Sequence, residues 1–302
     1  MNSKTTRLAT VELFTAMIIS GSIGLFVIKS GQTPANVVFL RCAIALVCLA
    51  PYCLWRGYVR REYLVPKLLL PIVVAGILMV LNWVLLFKAF PLTSISLATI
   101  VYHINPFIVL LFGVLFLGQL VTKNDIAWTG LAFVGLIFTM SDNGGLTMPG
   151  ETEALGLLFV LGATTMYAGT VILTKLTGNT PPAFIIMVQT FVGTCMLLPF
   201  CDFSSMPKNV SQWGFVTALG VLHTFVLYSL IFSAYQKLNV SVIAILSFVY
   251  PISTVAFDYI FFDHLVTYWQ LFGAALILAG TIGIKMKWNI LRRPANRSPT
   301  AN

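Results

Sequence analysis

The sequence predicts an all-α membrane protein with ten transmembrane helices laid out as two inverted five-helix repeats. Three observations predict it. Of the 302 residues, 58% are hydrophobic and only 9% charged, against roughly 25% charged in a soluble globular domain, so a soluble core could not hide the apolar surface. Mean hydropathy is +0.93, and the apolar runs approach the ~20 residues a helix needs to cross hydrocarbon, without the every-second-residue alternation of barrel strands. The third observation is that one half of the chain can be laid on the other.

The expected spans are 11–29, 34–55, 67–89, 95–117, 124–141, 153–174, 182–200, 212–235, 241–262 and 268–286. Turn chemistry or charge separates them: Gly31-Gln32-Thr33-Pro34, Arg56 to Arg61, Pro91, Lys123 to Asp125, Asp142-Asn143-Gly144-Gly145, Gly178 to Pro182, and Ser204 to Ser211. The first span follows two basic residues but lacks a small-residue cleavage site, and reads as a retained helix. Cys42, Cys48, Cys53, Cys195 and Cys201 are odd in number, lack CxxC spacing and read as free thiols in apolar surroundings.

A net charge of +9 raises nucleic acid as a partner, and the placement of the charges argues against it. With the N-terminus in the cytoplasm, fourteen Lys and Arg fall inside and three, Lys29, Lys88 and Lys208, fall on or near the other side, with Arg41 within a span. That bias predicts two cytoplasmic termini, as in a multi-pass protein of a bacterial inner membrane. The basic residues after Trp288 then form a topology anchor at the lipid surface.

The repeat appears when residues 82–140 are laid on 227–285 at a constant offset of 145. Phe87-Lys88-Ala89-Phe90 falls on Phe232-Ser233-Ala234-Tyr235, Pro106 on Pro251, Leu120-Val121-Thr122 on Leu265-Val266-Thr267, and Gly135 on Gly280. At an offset of 148, Gly21 meets Gly169, Pro34-Ala35 meets Pro182-Ala183, and Pro51 meets Pro199. The expected units are residues 1–145 and 146–288, followed by a basic cytoplasmic tail, 289–302. Five spans per unit force the second copy into the membrane upside down, the arrangement of many alternating-access transporters.

The stretches LNWVLLFKAFPLTSISLATIVYHINPFIVLLFGVLFLGQLVT and SLIFSAYQKLNVSVIAILSFVYPISTVAFDYIFFDHLVT resemble the segment shared by the EamA family of the drug/metabolite transporter superfamily. That segment runs from an alanine-aromatic pair through a small-residue helix with a central proline to Gly-Glu-x-x-Ser/Thr. Gln119 and His264 stand where the family has its glutamate, so no role of that glutamate is carried over. The resemblance implies ten helices with cytoplasmic termini and secondary transport, often efflux, of amino acids or other small metabolites.

Ionisable side chains in hydrocarbon cost roughly 2.5–3.5 kcal/mol on insertion scales and should face a partner, a cavity or the interface. Glu12 lies at the start of the first span, on one helical face with Thr15, Ile19 and Ser22. Arg41 and Gln189 occupy repeat-equivalent positions and predict a cavity wall. Asp258, on a face with Ser247, Tyr250, Pro251 and Thr254, lies at a depth close to that of Arg41. The two either pair, as a gate or a substrate-carboxylate site, or snorkel separately. His103, near Tyr102 and Asn105, and His223 are candidates for proton coupling. Asn82, Trp83 and Tyr250 are candidates to line the path by hydrogen bonding and stacking. Pro106 and Pro251, near the middles of equivalent spans, are expected to act as hinges or kinks whose freed carbonyls face the cargo.

The sequence holds no HExxH, no GxSxG turn, no paired carboxylates in a loop and no metal-ligand spacing, so neither catalysis nor a cofactor is expected. It also lacks a GxxxxGK[ST] phosphate loop, which leaves an ion gradient, with protons as the candidate, as the driving force. A membrane-embedded enzyme or a channel is the alternative class. The expected partners are a small molecule and the lipid bilayer, not nucleic acid.

Overall fold

In a computed structural model of the chain, the described residues are 3–89, 92, 101–140, 151–262 and 267–288, and all their regular structure is helical. The α-helices are α1 (Ser3–Gly21), α2 (Ile23–Ser30), α3 (Pro34–Trp55), α4 (Pro66–Ala89), α5 (Asn105–Leu117), α6 (Lys123–Met140) and α7 (Glu151–Leu176). They continue with α8 (Pro182–Leu197), α9 (Val210–Gly220), α10 (Leu227–Lys237), α11 (Val240–Leu246), α12 (Val249–Phe262) and α13 (Tyr268–Lys285). Seven helical stretches among the described residues are long and apolar enough to cross a membrane, and α5 and part of α13 are shorter apolar helices. The predicted count of ten is therefore not confirmed among the described residues. Residues 95–100 of the fourth expected span, the 141–150 boundary between the units and the 289–302 tail lie outside the described residues.

Local chemistry explains the helix ends. Thr33 caps α3 by accepting the Asn36 N–H, and Pro34 fills the first helical position, where no amide donor is needed. Gly31 closes α2 at φ 63° and Gly118 closes α5 at φ 59°, a left-handed turn that disfavours any residue with a Cβ. Gln119, the residue in the family glutamate's place, accepts the Val240 N–H at 3.1 Å and so caps α11 across the repeat boundary. Between α8 and α9, Asn36 of α3 is fully buried and ties down the connection: its amide donates to Asp202 O at 2.9 Å and Ser205 Oγ at 3.0 Å, and its Oδ1 accepts the Asp202 N–H at 2.9 Å. Hydrogen bonds from Ser204 and Ser205 hold the Asp202 carboxyl below the usual carboxylate range.

Four expected helices are not regular. The first breaks at Ser22, between α1 and α2. The fourth is interrupted by a turn at His103–Ile104, and its repeat mate by one at Ser247–Phe248, between α11 and α12. Pro106 and Pro251 therefore sit in the first turn of a new helix and do not kink a continuous one, because proline suits the position where amide donors are unpaired. Nor is the carbonyl four residues before Pro106 left open: Tyr102 O accepts Thr164 Oγ1 at 2.8 Å. The eighth helix runs from α9 to α10 through a π-helical turn, Val221–Val226.

Helix contacts occur in pairs that the repeat exchanges. α1 packs on α10 as α7 packs on α4, α1 on α12 as α7 on α5, and α3 on α9 as α8 on α4. The contacts α3 with α8 and α6 with α13 join equivalent elements and so lie on the axis relating the halves. One continuous core, including Leu13, Leu49, Ile72, Phe184 and Phe232, runs through both halves. Leu70, Leu115, Phe116, Leu158 and Phe191 are exposed, the outer surface that lipid tails solvate.

Candidate functional site

The axis carries a small cavity of about 10 Å³, room for a single water. Its polar and aromatic walls are Trp83 of α4, Gln189 and Thr190 of α8, Thr224 of the π turn and Tyr228 of α10, with Cys42 of α3. The repeat pairs Cys42 with Thr190, Met79 with Thr224 and Trp83 with Tyr228, and all six line the cavity. Close crossings bring the walls together. A Cβ on Gly76 would lie 3.1 Å from Gln189 Cα, so α4 meets the backbone of α8, and one on Gly220 would lie 2.6 Å from Ile44 Cγ2, so α9 seats the Ile44 side chain of α3 directly against its own backbone.

Arg41 is 2% exposed and lies against two of these walls. Its Nε donates to Thr224 Oγ1 at 3.0 Å, its Nη2 donates to His223 O at 3.0 Å, and its guanidinium stacks 4.3 Å from the Trp83 ring centroid. The π turn makes the middle contact available. Leu227 N–H bonds Leu222 O, five residues back, and so bypasses the His223 carbonyl that a regular helix would give it. His223 is itself fully buried and held at both ring nitrogens, sharing a hydrogen bond with Ser22 Oγ at 2.8 Å and contacting Ala218 O at 3.3 Å. Ser22 marks the break between α1 and α2, so the helix break, the π turn and the arginine form one connected unit.

Gln189, the repeat mate of Arg41, is 5% exposed, and its Nε2 has no hydrogen-bond partner among the described residues. Among the described residues Arg41 contacts Thr224, His223 and Trp83, and these contacts do not test the expected ion pair with Asp258. Asp258 belongs to α12, but its side chain lies outside the described residues.

A second polar group lies beside the first. Asn82 is fully buried and donates to Ala163 O at 2.8 Å and Tyr102 OH at 3.1 Å, while Asn105 donates to Thr164 O at 3.0 Å. These bonds pin the interrupted fourth helix to α4 and α7. His103 is buried and stacks on Tyr250 at 5.5 Å with an interplanar angle of 17°, joining the two interrupted helices across the axis. Tyr102 also meets Tyr167, whose hydroxyl bonds that of Tyr235 at 2.9 Å. The sequence singles out Trp83 and places Ser22 on a polar face with Glu12, but it does not single out Tyr228, the mate of Trp83, or Thr224, Tyr167 and Tyr235 as site residues. The offset of 145 already pointed from Trp83 to Tyr228.

One end of the bundle is closed by charge. Glu12 of α1 pairs with Lys237 of α10 at 3.3 Å and accepts Ser233 Oγ at 2.8 Å. Lys175, at the end of α7, donates to the carbonyls of Tyr235 (2.8 Å) and Leu238, and so satisfies orphan acceptors at the end of α10. The repeat mates of Glu12 and Ser233 are Val160 and Lys88, and the corresponding seam is an apolar cluster of Ala89 and Val160 packed against Leu86, Val101, Tyr102 and Phe159. Among the described residues no group of three or more His, Cys, Asp or Glu is placed to hold a metal.

Comparison with known proteins agrees with this architecture. The chain is similar over its whole length to YxxF of Bacillus subtilis, named an uncharacterized transporter, with 29% identity over 303 residues and 95% of that protein covered. It is 25% identical to the pseudopaline exporter CntI of Pseudomonas aeruginosa over 259 residues, 83% of this chain and 85% of that one. A solved crystal structure superposes with a TM-score of 0.82 at 17% identity, covering 92% of this chain and 98% of the other, a likeness of fold. The model of the EamA-like transporter family matches twice, over residues 8–141 and 154–286, so the chain is a multi-pass membrane protein that belongs to that family.

Proposed function

We propose that the chain is a gradient-driven secondary transporter of a small metabolite, an exporter of amino acids or related compounds working by alternating access. Its working parts are two inverted halves, 1–145 and 146–288, with a basic tail at 289–302 and both termini on the cytoplasmic face of a bacterial inner membrane. The observation that carries this reading is the cavity on the repeat axis, walled by three repeat-exchanged pairs. A site there is shared equally by both halves, so exchanging their conformations turns it from one side of the membrane to the other.

In this reading Arg41, Trp83, Gln189 and Tyr228 contact cargo, while Asn82, Tyr102 and Tyr250 line its path. His223 positions Arg41, and the turns before Pro106 and Pro251 are the hinges. His103, stacked between the interrupted helices, is the candidate for coupling to protons. The Glu12–Lys237 pair and the Lys175 cap close the cytoplasmic end. Asp258 stays a candidate gate residue on α12. The pseudopaline exporter among the relatives supports export.

The test is untargeted measurement of the metabolites retained and released by cells lacking and cells overproducing the protein. A pool that falls outside the first and rises outside the second is the expected result. No change in any pool would overturn the exporter reading. With a cargo in hand, saturable counterflow in proteoliposomes separates a carrier from a channel, which would conduct without saturating.

A further inference from the structure

On the basis of the transport reading above, we infer that the cargo carries an anionic group, a carboxylate or an equivalent oxyanion, which docks between Arg41 and Gln189. The reasoning starts from the charge of Arg41. A guanidinium stays protonated in any protein environment and presents five N–H donors. Arg41 is 2% exposed, and its contacts are a hydroxyl, a backbone carbonyl and an indole face. All three are neutral, and the only ion pairs among the described residues join Arg60 to Glu62 and Lys237 to Glu12. The dipoles and the ring quadrupole offset part of the desolvation cost but cancel no charge.

The second half of the site lacks the same kind of partner. Gln189 Nε2 is a buried donor with no acceptor among the described residues. Trp83 and Thr224, on which Arg41 rests, line the same cavity as Gln189. Both repeat-equivalent positions therefore offer donors, one of them charged. A cation would be repelled by Arg41, and a neutral acceptor would leave the charge uncompensated. A carboxylate supplies two oxygens with about four lone-pair sites, and charge-assisted hydrogen bonds run roughly twice as strong as neutral ones.

Arg41 belongs to the first repeat and Gln189 to the second, so an anion held by both ties the halves together. The cavity holds about 10 Å³, and anything larger than water enters only when the walls part. The anion then acts on the moving seam itself: it favours the state in which the walls have closed around it, which is how a carrier couples binding to the change of access.

The test uses cells lacking the protein and supplied with wild type, Arg41→Lys, Arg41→Gln or Gln189→Leu, at membrane levels matched by immunoblot. Compounds released by wild type and not by the vector control are identified by untargeted mass spectrometry. Each is then scored for retention on an anion exchanger at about pH 11, where amines are neutral and acids are not. Wild-type cargo is expected to be retained. Its export should fall about tenfold or more in Arg41→Gln, persist in part in Arg41→Lys, and fall several-fold in Gln189→Leu, the scale of losing charge-assisted and neutral hydrogen bonds respectively. Cargo without an acidic group, or undiminished export by Arg41→Gln, overturns the inference while leaving transport intact. Should Arg41→Gln fail to reach the membrane, Gln189→Leu decides, and undiminished export by that variant overturns it. If wild type releases no compound beyond the control, the transport reading itself falls and takes this inference with it.

Discussion

Gly21 is where the break in the first helix meets the second repeat, and it provides a direct test of the packing. A methyl group on Gly21 would lie 2.0 Å from Ser253 Oγ and 2.8 Å from both Ser253 C and Thr254 N. The hydroxyl can swing aside, but it donates to Ile18 O at 2.9 Å, and losing that bond costs about 1 kcal/mol. The backbone atoms cannot swing. To reach the 3.4 Å at which ordinary contact begins, α12 must back away from α1 by some tenths of an ångström, and overpacking of this kind costs about 1–3 kcal/mol. Alanine's helical advantage over glycine, at most about 1 kcal/mol, is small at the last residue of α1. Gly21→Ala should therefore lose about 2 kcal/mol, the balance of those terms. Two other glycines calibrate the measurement. Gly24 has nothing within 4 Å of its added Cβ, and Gly169, the repeat mate, meets only the end of the Leu78 side chain at 2.9 Å. Thermal unfolding of purified protein in nanodiscs should rank Gly24→Ala level with wild type, Gly169→Ala slightly below and Gly21→Ala lowest. A Gly21→Ala melting temperature equal to that of Gly24→Ala would refute the α1–α12 contact.

The ionic closure predicts that Glu12→Lys and Lys237→Glu each reduce transport and that the double exchange restores most of it; a double variant no better than either single one counts against pairing. For the half-buried pair the coupling should be about 1 kcal/mol, near the top of the range for exposed pairs. Asn36→Leu should destabilise the protein by about 2–3 kcal/mol, because it strands the Asp202 amide and carbonyl together; hydrogen exchange across residues 198–209 reads this, and unchanged protection would contradict it. Pro106→Ala and Pro251→Ala should lower turnover more than membrane level, since each adds an amide donor able to extend a helix across the preceding turn. Equal losses of level and turnover would remove the hinge reading.

How much of this was legible in the sequence follows from which forces act locally. Thr33-Pro34 and Gly31 declare their turn through capping and φ, and the predicted span 34–55 matches α3. The repeat was legible because prolines and glycines at fixed offsets carry backbone constraints that both copies need. Pro106 and Pro251 marked the right region, but each begins a new helix after a break and does not kink a continuous one. A proline reads equally as a kink inside a helix or as the first turn of a new one, and only the bonding of the four preceding residues decides. The π turn had no signal at all: Val221 to Val226 contains no glycine or proline, and the extra residue per turn is held by side chains distant in sequence, Arg41 and Ser22. Arg41 stands out as a charge in hydrocarbon, yet its contacts with a backbone carbonyl, a hydroxyl and an indole carry no sequence signal, because they depend on how distant helices pack.

In the alternating-access reading proposed above, the departures from symmetry are where the two halves acquire separate tasks. A pair of identical repeats would place the same group at each equivalent point and give a site with two equal ends. Here the scaffold positions match while the chemistry does not: the repeat matches Arg41 with Gln189 and Trp83 with Tyr228, and the ionic seam at Glu12 has an apolar mate at Val160. An ionic seam opens into water at little cost, because its charges regain hydration, whereas an apolar seam pays the hydrophobic penalty of roughly 25 cal/mol for each Å² it exposes. In the alternating-access reading, opening at the two ends therefore has two different energies even though the helices move alike. On that reading, mutating Val160 to a polar residue shifts the difference toward easier opening of the apolar end, without touching the residues proposed to contact cargo.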